Sequence, residues 1–526
     1  MPVSMLHAPA DAFPALDLPR AYNAATWFID RHLAEGRGGK AAYVDRQGHH
    51  TYAALSERVN RAGNALLGLG LEMEQRVALI LPDTIDFPAV FWGAVKAGLV
   101  PVPLNTLLTT EDYATLLADS RARALVVDAS LLDRVAPALD GQAFLRSVVV
   151  AGGSGGPHPV LDSLMAAASP KLAPAPTTAD DVAFWLYSSG STGAPKGVMH
   201  LHRHLVATAE LFGRGVLGFR EDDVVYSAAK LFFAYGLGNG MSFPLHVGAT
   251  TVLLAERPTP DAVMGVLARH RPTVFCGVPT LLGSILADPA SGGGDLGLRL
   301  AVSAGEALPE EIGRRWEQRF GVEVVDGLGS TEMLHIFLSN RPGQVRYGTT
   351  GVAVPGYDLR IVDEAGQDVR RGEVGELLVR GPTAAQAYWN RREQSLRTFR
   401  GEWTHTGDKY WQTVEGHYVY AGRADDMLKV GGIWVSPFEV ENALLGHEAV
   451  HEAAIVGQAD ADGMIKPKAY VVLMPGVAAG PELAAELKSF VKGRLAPYKY
   501  PRWISFVDEL PKTATGKIQR FRLRVG

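Results

Sequence analysis

The chain has 526 residues, 47% of them apolar and 20% charged, with a net charge of −5 at pH 7. These values exclude a disordered or collagen-like chain, and the slight acidic balance argues against a nucleic-acid partner. The length suggests roughly three folding units, and the 58 glycines, against a usual share of about 7%, predict many tight turns or backbone-lined sites.

Residues 1–20 lack a basic stretch followed by a long apolar run, so no signal peptide is expected. Residues 76–81 (RVALIL), 124–127 (ALVV) and 147–150 (SVVV) read as buried strands, with helices over 86–97 and 112–118 between them. This alternation predicts an α/β architecture with at least one largely parallel sheet. The most apolar long window, 87–104, holds Lys96 and prolines. It fits a core helix followed by a strand better than a membrane span. Loops are expected at 152–157 (GGSGGP), 168–178 (ASPKLAPAPTT) and 291–294. The single cysteine, Cys276, reads as a packed thiol in a buried strand. It allows no internal disulfide, and the expected compartment is the cytoplasm. Beyond residue 341, short strands and Gly turns, as at 358–362 and 375–380, predict a smaller β-rich subdomain. Residues 452–457 and 468–474 read as strands, and 481–495 as a helix with Pro481 and Glu482 in its first turn. The expected fold is therefore α/β. A large multi-subdomain N-terminal domain (1–424) holds mixed α/β sheets and the small β-rich subdomain. A small α+β C-terminal domain (425–526) follows on a hinge.

One loop carries most of the chemistry. Residues 187–200 read YSSGSTGAPKGVMH and follow a segment of strand character, 182–186 (VAFWL). Hydroxyls and bare backbone amides at this density can wrap phosphate oxygens, while Gly permits close approach and Lys196 supplies a point charge. A flexible Ser/Gly linker seldom follows a strand and ends in Pro-Lys-Gly. The loop is not a Walker A loop, because Gly197 rather than Ser or Thr follows Lys196. Two other patterns are decoys. His447-Glu448-Ala449-Val450-His451 matches HExxH but runs straight into a predicted strand, whereas zinc binding needs both His on one helical face. Gly152 to Gly156 matches GxSxG but lies in a loop, not in a strand-to-helix turn.

Ser188-Ser189-Gly190-Ser191-Thr192-Gly193-Ala194-Pro195-Lys196-Gly197 resembles the phosphate loop of the adenylate-forming (acyl-CoA synthetase) enzymes. Further family motifs follow in order. Gly327-Leu328-Gly329-Ser330-Thr331-Glu332 resembles the acidic nucleotide motif, and Trp403-Thr404-His405-Thr406-Gly407-Asp408 the ribose motif. Gly422-Arg423-Ala424-Asp425-Asp426 resembles the hinge, and Pro511-Lys512-Thr513-Ala514-Thr515-Gly516-Lys517 the C-terminal lysine motif. More narrowly, the segments Lys230 to Asn239 and Gly329 to Phe337 resemble those of benzoate-CoA ligases.

The resemblance implies site residues. Ser188, Ser189, Gly190, Ser191, Thr192, Gly193 and Lys196 would hold the β- and γ-phosphates of ATP. Glu332 would hold Mg²⁺, and Thr331 would bond the α-phosphate. Gly305, Glu306 and Ala307 would wall the adenine slot, with Asp326 near the exocyclic amine, and Gly327 and Leu328 beside it. Leu328 departs from the aromatic residue many relatives stack on adenine. Asp408 would accept from the ribose hydroxyls, with Arg423 nearby. Lys517 would serve the first half-reaction, Asp425 would be the hinge, and Gly431 and Gly432 would line the pantetheine tunnel. The acyl pocket would comprise Phe233, Ala234, Tyr235, Gly329, His335 and Ile336, a flat slot for a planar ring; a plain core role is the alternative for His335.

The activity this implies is ATP-dependent ligation of an aryl acid, benzoate, to coenzyme A through benzoyl-AMP. The alternatives are 4-hydroxybenzoate or another substituted benzoate, or a free-standing adenylation enzyme loading a carrier protein. No carrier domain follows within the chain, which favours free CoA. Lys517 is a candidate for control by acetylation, which would remove its charge. No nucleic acid and no membrane partner are expected, and a homodimer is compatible with a sequence that does not set oligomeric state.

Overall fold

The structure, a computed structural model, describes residues 18–188, 195–423, 426–430, 433–460, 464–496, 498–512 and 518–524. The three sequence-predicted strands 76–81, 124–127 and 147–150 form one sheet. Among the described residues it has four strands, in the order Val100–Pro103, Arg76–Ile80, Ala124–Asp128, Ser147–Ala151, every pair parallel. Strands buried on both faces need no polar alternation, which is why they read as continuous apolar runs. The helix Asp86–Lys96 between them is buried along its whole length. The Lys96 ammonium is paired inside with Asp30 at 2.6 Å and Asn60 at 2.7 Å. A helix covered on all sides is apolar all round, and this explains the hydropathy of the 87–104 window without a membrane. No helix among the described residues is long and apolar enough to cross a membrane.

The second sheet is larger. Among the described residues it has nine strands. Its centre is parallel: Val324–Gly329, Leu300–Ala304, Val274–Gly277, Val224–Ser227, Thr250–Val252 and Ala41–Asp45 lie side by side. Ile336–Ser339 with Val352–Ala353 closes one edge and Gly48–Thr51 the other, all antiparallel. Cys276 lies fully buried on the third of these central strands, where burial pushes its thiol pKa up. Parallel strands send their carboxyl ends to one rim, where open α/β sheets bind ligands. The segments 305–307, 330–335 and 228–235 all leave from that rim.

The β-rich subdomain is an antiparallel sheet of Asp358–Val362, Gly375–Arg380, Trp403–Gln412, Phe399–Arg400 and Tyr418–Arg423. Past residue 427 a separate core forms, including Val440, Leu444, Ile455, Val471, Leu487 and Val491. Helices Pro437–Leu445 and Pro481–Lys492 pack there with the strands Val450–Ala459, Ile465–Leu473 and Trp503–Phe506. The fold is thus mixed α/β with a large N-terminal region, a small β-rich unit and a small α+β C-terminal region. The helix before His447 stops at Leu445, and His451 already lies in the next strand, so the HExxH residues do not share a helical face. Gly152 to Gly156 lies in irregular chain between a strand and a later helix.

Candidate active site

The phosphate-loop segment is the connection of an antiparallel hairpin. Val182–Ser188 pairs with Lys196–Leu201, and the last matched pair is Ser188 with Lys196. Ser189, Gly190, Ser191, Thr192 and Gly193 lie outside the described residues. The hairpin is anchored near its loop end: the Tyr187 hydroxyl donates to Asp119 at 2.7 Å, and Trp389, whose amide donates to the Gly197 carbonyl, sends its indole N–H to the Asp119 carbonyl at 2.9 Å. Lys196 Nζ stands 4.8 Å from the centroid of the Tyr388 ring, a cation–π distance.

Facing the hairpin is the acidic turn. Strand Val324–Gly329 ends at Ser330, whose hydroxyl caps the short 3-10 turn Thr331–Met333 by accepting from the Met333 amide at 3.2 Å. Leu334 leaves the turn at φ 65°, a costly backbone conformation for a non-glycine residue. The turn is held through its carbonyls. Thr331 accepts from His200 Nε2 at 2.7 Å, Glu332 from the Ala385 amide at 2.8 Å, and Met333 from the Thr383 hydroxyl at 2.7 Å. The Glu332 carboxylate accepts from the Tyr388 hydroxyl at 2.8 Å and the Ser188 hydroxyl at 3.5 Å. Serine, acid, tyrosine and lysine from four chain segments are thereby gathered at one place. Among the described residues no three His, Cys, Asp or Glu side chains could together hold a metal. A single carboxylate suits Mg²⁺, which keeps waters and takes most other ligands from substrate phosphates.

The residues that the resemblance assigns to the nucleotide fall on that rim and on the β-rich sheet. Asp326 is 5% exposed and its Oδ1 has no hydrogen-bond partner among the described residues. Burial pushes its carboxyl well above the usual range. Gly305 turns the chain at φ 93° just past the neighbouring strand, and the Glu306 carboxylate accepts from Thr280 at 2.7 Å; Ala307 follows, and Leu328 is half-buried between Gly327 and Gly329. Asp408 and Arg423 are register partners on adjacent strands, joined by an ion pair of 3.1 Å. The charge of Arg423 is felt at the Tyr388 hydroxyl, so the ribose and acidic motifs lie within electrostatic reach.

The aromatic residues form a third cluster. Phe233 precedes the short helix Ala234–Leu237, and the Tyr235 hydroxyl donates to the Val302 carbonyl at 3.1 Å. The His335 ring has its centroid 4.5 Å from Phe243, 5.5 Å from Phe212 and 5.7 Å from Tyr235. Its Nε2 faces the Tyr235 carbonyl at 3.3 Å, and burial pushes its pKa down to about 3, so the ring is neutral. Gly329 pairs with Ile336 across the strands, and a Cβ at Gly329 would stand 2.7 Å from the His335 carbonyl oxygen. Only a residue without a side chain permits that approach. Of the sequence-predicted acyl residues, Tyr235, Gly329, His335 and Ile336 are thus brought to the same turn as Glu332, and Phe233 and Ala234 adjoin Tyr235 in the chain.

Lys517, Asp425, Gly431 and Gly432 lie outside the described residues. Chain flanking Gly431 and Gly432 is paired antiparallel, Leu428–Val430 with Ile433–Val435. Sequence reasoning missed Tyr388, His200 and Asp119. Tyr388 follows a run, Ala384-Ala385-Gln386-Ala387, with no motif density, and its tertiary contacts with Glu332 and Lys196 mark it. His200 closes the phosphate-loop segment, yet its partner is 131 positions away.

Residues 30–389 match the family model of the AMP-binding enzymes, and residues 439–517 that of the AMP-binding enzyme C-terminal domain. The chain is 59% identical to a benzoate–CoA ligase of Thauera aromatica over 97% of both chains. It is 52% identical to a 4-hydroxybenzoate–CoA/benzoate–CoA ligase of Rhodopseudomonas palustris, covering 96% of this chain and 94% of that one. Its fold matches the crystal structure of a benzoate CoA ligase from Burkholderia xenovorans LB400 with a TM-score of 0.89 and 52% identity, covering 96% of this chain and 100% of that chain. With family models matching residues 30–389 and 439–517, and a relative 59% identical over 97% of the chain, the chain belongs to the AMP-binding enzymes, the adenylate-forming acyl-CoA synthetases.

Proposed function

We propose that the protein is a benzoate–CoA ligase. It converts benzoate, ATP and CoA to benzoyl-CoA, AMP and pyrophosphate. In the first half-reaction a benzoate oxygen attacks the α-phosphorus of ATP and the bond to pyrophosphate breaks. In the second, the CoA thiol attacks the acyl carbon of benzoyl-AMP, AMP leaves with the bonding pair, and the thiol proton is released. The observation that carries this reading is the common origin of the two clusters. One strand end and turn, residues 327–336, supplies both the carboxylate beside the lysine hairpin and the aromatic-walled His335 cluster. The relatives named as benzoate–CoA ligases support it.

Two anions must meet, so the site must neutralise charge and align the reactants. Lys196 and the hairpin amides take the β- and γ-phosphates, and Thr331 bonds the α-phosphate. The Glu332 carboxylate, bonded only to hydroxyls among the described residues, would hold Mg²⁺, which would screen the phosphate oxygens. Asp326 presents an unpartnered oxygen to the adenine amine, with Gly305, Glu306, Ala307, Gly327 and Leu328 around the base. Asp408 accepts from the ribose hydroxyls and is held in place by Arg423. Phe233, Ala234, Tyr235, Gly329, His335 and Ile336 receive the ring. Lys517 bridges phosphate and carboxylate in the first step, and rotation about Asp425 of the domain beginning there brings Gly431 and Gly432 to the pantetheine in the second.

AMP formation from ATP tests the reading across benzoate, 4-hydroxybenzoate, 2-aminobenzoate, acetate and octanoate, each with and without CoA. The expected result is CoA-dependent AMP formation, highest with benzoate. Activity confined to acetate or octanoate overturns the acyl-site assignment. Acid-dependent pyrophosphate exchange without CoA-dependent turnover points to a carrier-protein acceptor instead.

A further inference from the structure

His200 is the last but one residue of the strand that leaves the phosphate loop, and it is fully buried. Its ring stacks on Phe184 of the paired strand, with centroids 5.4 Å apart. Its Nε2 lies 2.7 Å from the carbonyl oxygen of Thr331. That oxygen belongs to the peptide joining Thr331 to Glu332. Its other lone pair takes the Leu334 amide at 3.1 Å, closing the 3-10 turn, so both acceptor sites of the carbonyl are filled. A carbonyl can only accept, so His200 carries its proton on Nε2. Burial pushes its pKa down to about 4, which leaves the ring neutral with its Nδ1 turned to His204 Nδ1 at 3.1 Å. His200 is therefore a rigid, aromatic spacer with one donor, running from the phosphate-loop strand to the acidic turn.

We infer that His200 is a positioning residue for ATP. By clamping the Thr331–Glu332 peptide to the strand that begins at Lys196, it sets the distance between Thr331, assigned to the α-phosphate, and Lys196, assigned to the β- and γ-phosphates. The inference rests on the proposed assignment of those two residues to ATP. It does not depend on which acid is activated. Leu334 at φ 65° makes the clamp useful, because a turn that exits through a costly backbone conformation persists only where its surroundings hold it.

The test compares three variants. His200→Phe keeps the stack on Phe184 and loses the donor. His200→Gln offers a side-chain N–H that reaches the carbonyl, and His200→Asn is one methylene short. ATP affinity is measured by calorimetry with Mg²⁺ and no acid, beside KM values for ATP and benzoate. Losing a buried donor should weaken ATP binding about tenfold in the Phe and Asn variants, with the benzoate KM within about twofold, and Gln should recover most of the loss. If the Phe variant does not fold, the Gln and Asn pair carries the comparison. Equal ATP affinity in Gln and Asn variants, or parallel loss of ATP and benzoate binding, overturns the inference. A wild-type protein that binds ATP but activates a different acid would overturn the benzoate reading and leave this comparison intact.

Discussion

Glu332 has two hydroxyl partners among the described residues, Tyr388 and Ser188. Hydroxyls orient a carboxylate without cancelling its charge, which suits a group that faces a divalent cation. Tyr388 also stands under the Lys196 ammonium, so one phenol ring touches both the cation and the anion of the site. Tyr388→Phe should raise the KM for ATP roughly tenfold, since a hydrogen bond to a charged group is worth about 1.5–3 kcal/mol. Steady-state kinetics over a range of Mg²⁺ concentrations measures this, and an unchanged KM removes Tyr388 from the phosphate site. Sequence reading found Glu332 and Lys196 because their motifs are local. It could not find Tyr388, whose partner is 56 positions away.

At the scale of the element, the large sheet divides its labour between strand ends. The carboxyl ends deliver the site. At the amino ends, Asp223 and Arg299 immediately precede their strands and form a bidentate pair whose carboxylate is buried and whose arginine is 27% exposed. The Asp223 side chain is 0% exposed and also accepts from Thr273 at 2.7 Å. Removing the arginine leaves the buried carboxylate without its bidentate partner. Arg299→Ala should therefore cost about 3–5 kcal/mol of stability, read as a shift in urea midpoint, while kcat of the folded enzyme at low temperature stays near wild type. A loss of kcat without loss of stability would contradict this division. At the other end, Gly329→Ala would place its Cβ 2.7 Å from the His335 carbonyl oxygen and 2.9 Å from the Ile336 amide. The strands must separate there, so the KM for benzoate should rise well before stability collapses, which parallel kinetics and thermal melts would show.

Across the whole molecule, several buried histidines set the acid limit of stability. Burial is the main cause holding His32 and His335 down to about 3, and His200 and His202 down to about 4. Unfolding would return each to about 6.5. Below that value the unfolded chain binds protons that the folded one refuses, so stability falls as pH drops. Each histidine contributes up to about 1.4 kcal/mol per pH unit between its unfolded and folded values. The urea midpoint should be flat from pH 8 to about 7 and decline steadily from about 6.5 towards 4. A midpoint unchanged down to pH 5 would show that these rings are protonated in the fold. The two-step chemistry also makes a prediction at this scale. Lys517→Ala should lose most benzoyl-AMP formation yet still convert supplied benzoyl-AMP to benzoyl-CoA; equal loss of both steps, followed separately, refutes a role confined to the first.

The sequence by itself determined the fold class, the order of the elements and the family. Strand and helix periodicity reports burial locally, as in residues 76–80 and 86–96, and contiguous motifs such as residues 188–197 and 327–332 report ligand chemistry without reference to distant chain. What only the tertiary structure decided is how those motifs are held together. Thr331 is fixed by His200, Glu332 by Tyr388 and Ala385, and the loop hairpin by Asp119. A hydrogen bond between residues as far as 131 positions apart leaves no periodic trace in a chain. It exists only once parallel strands have delivered their carboxyl ends to one rim.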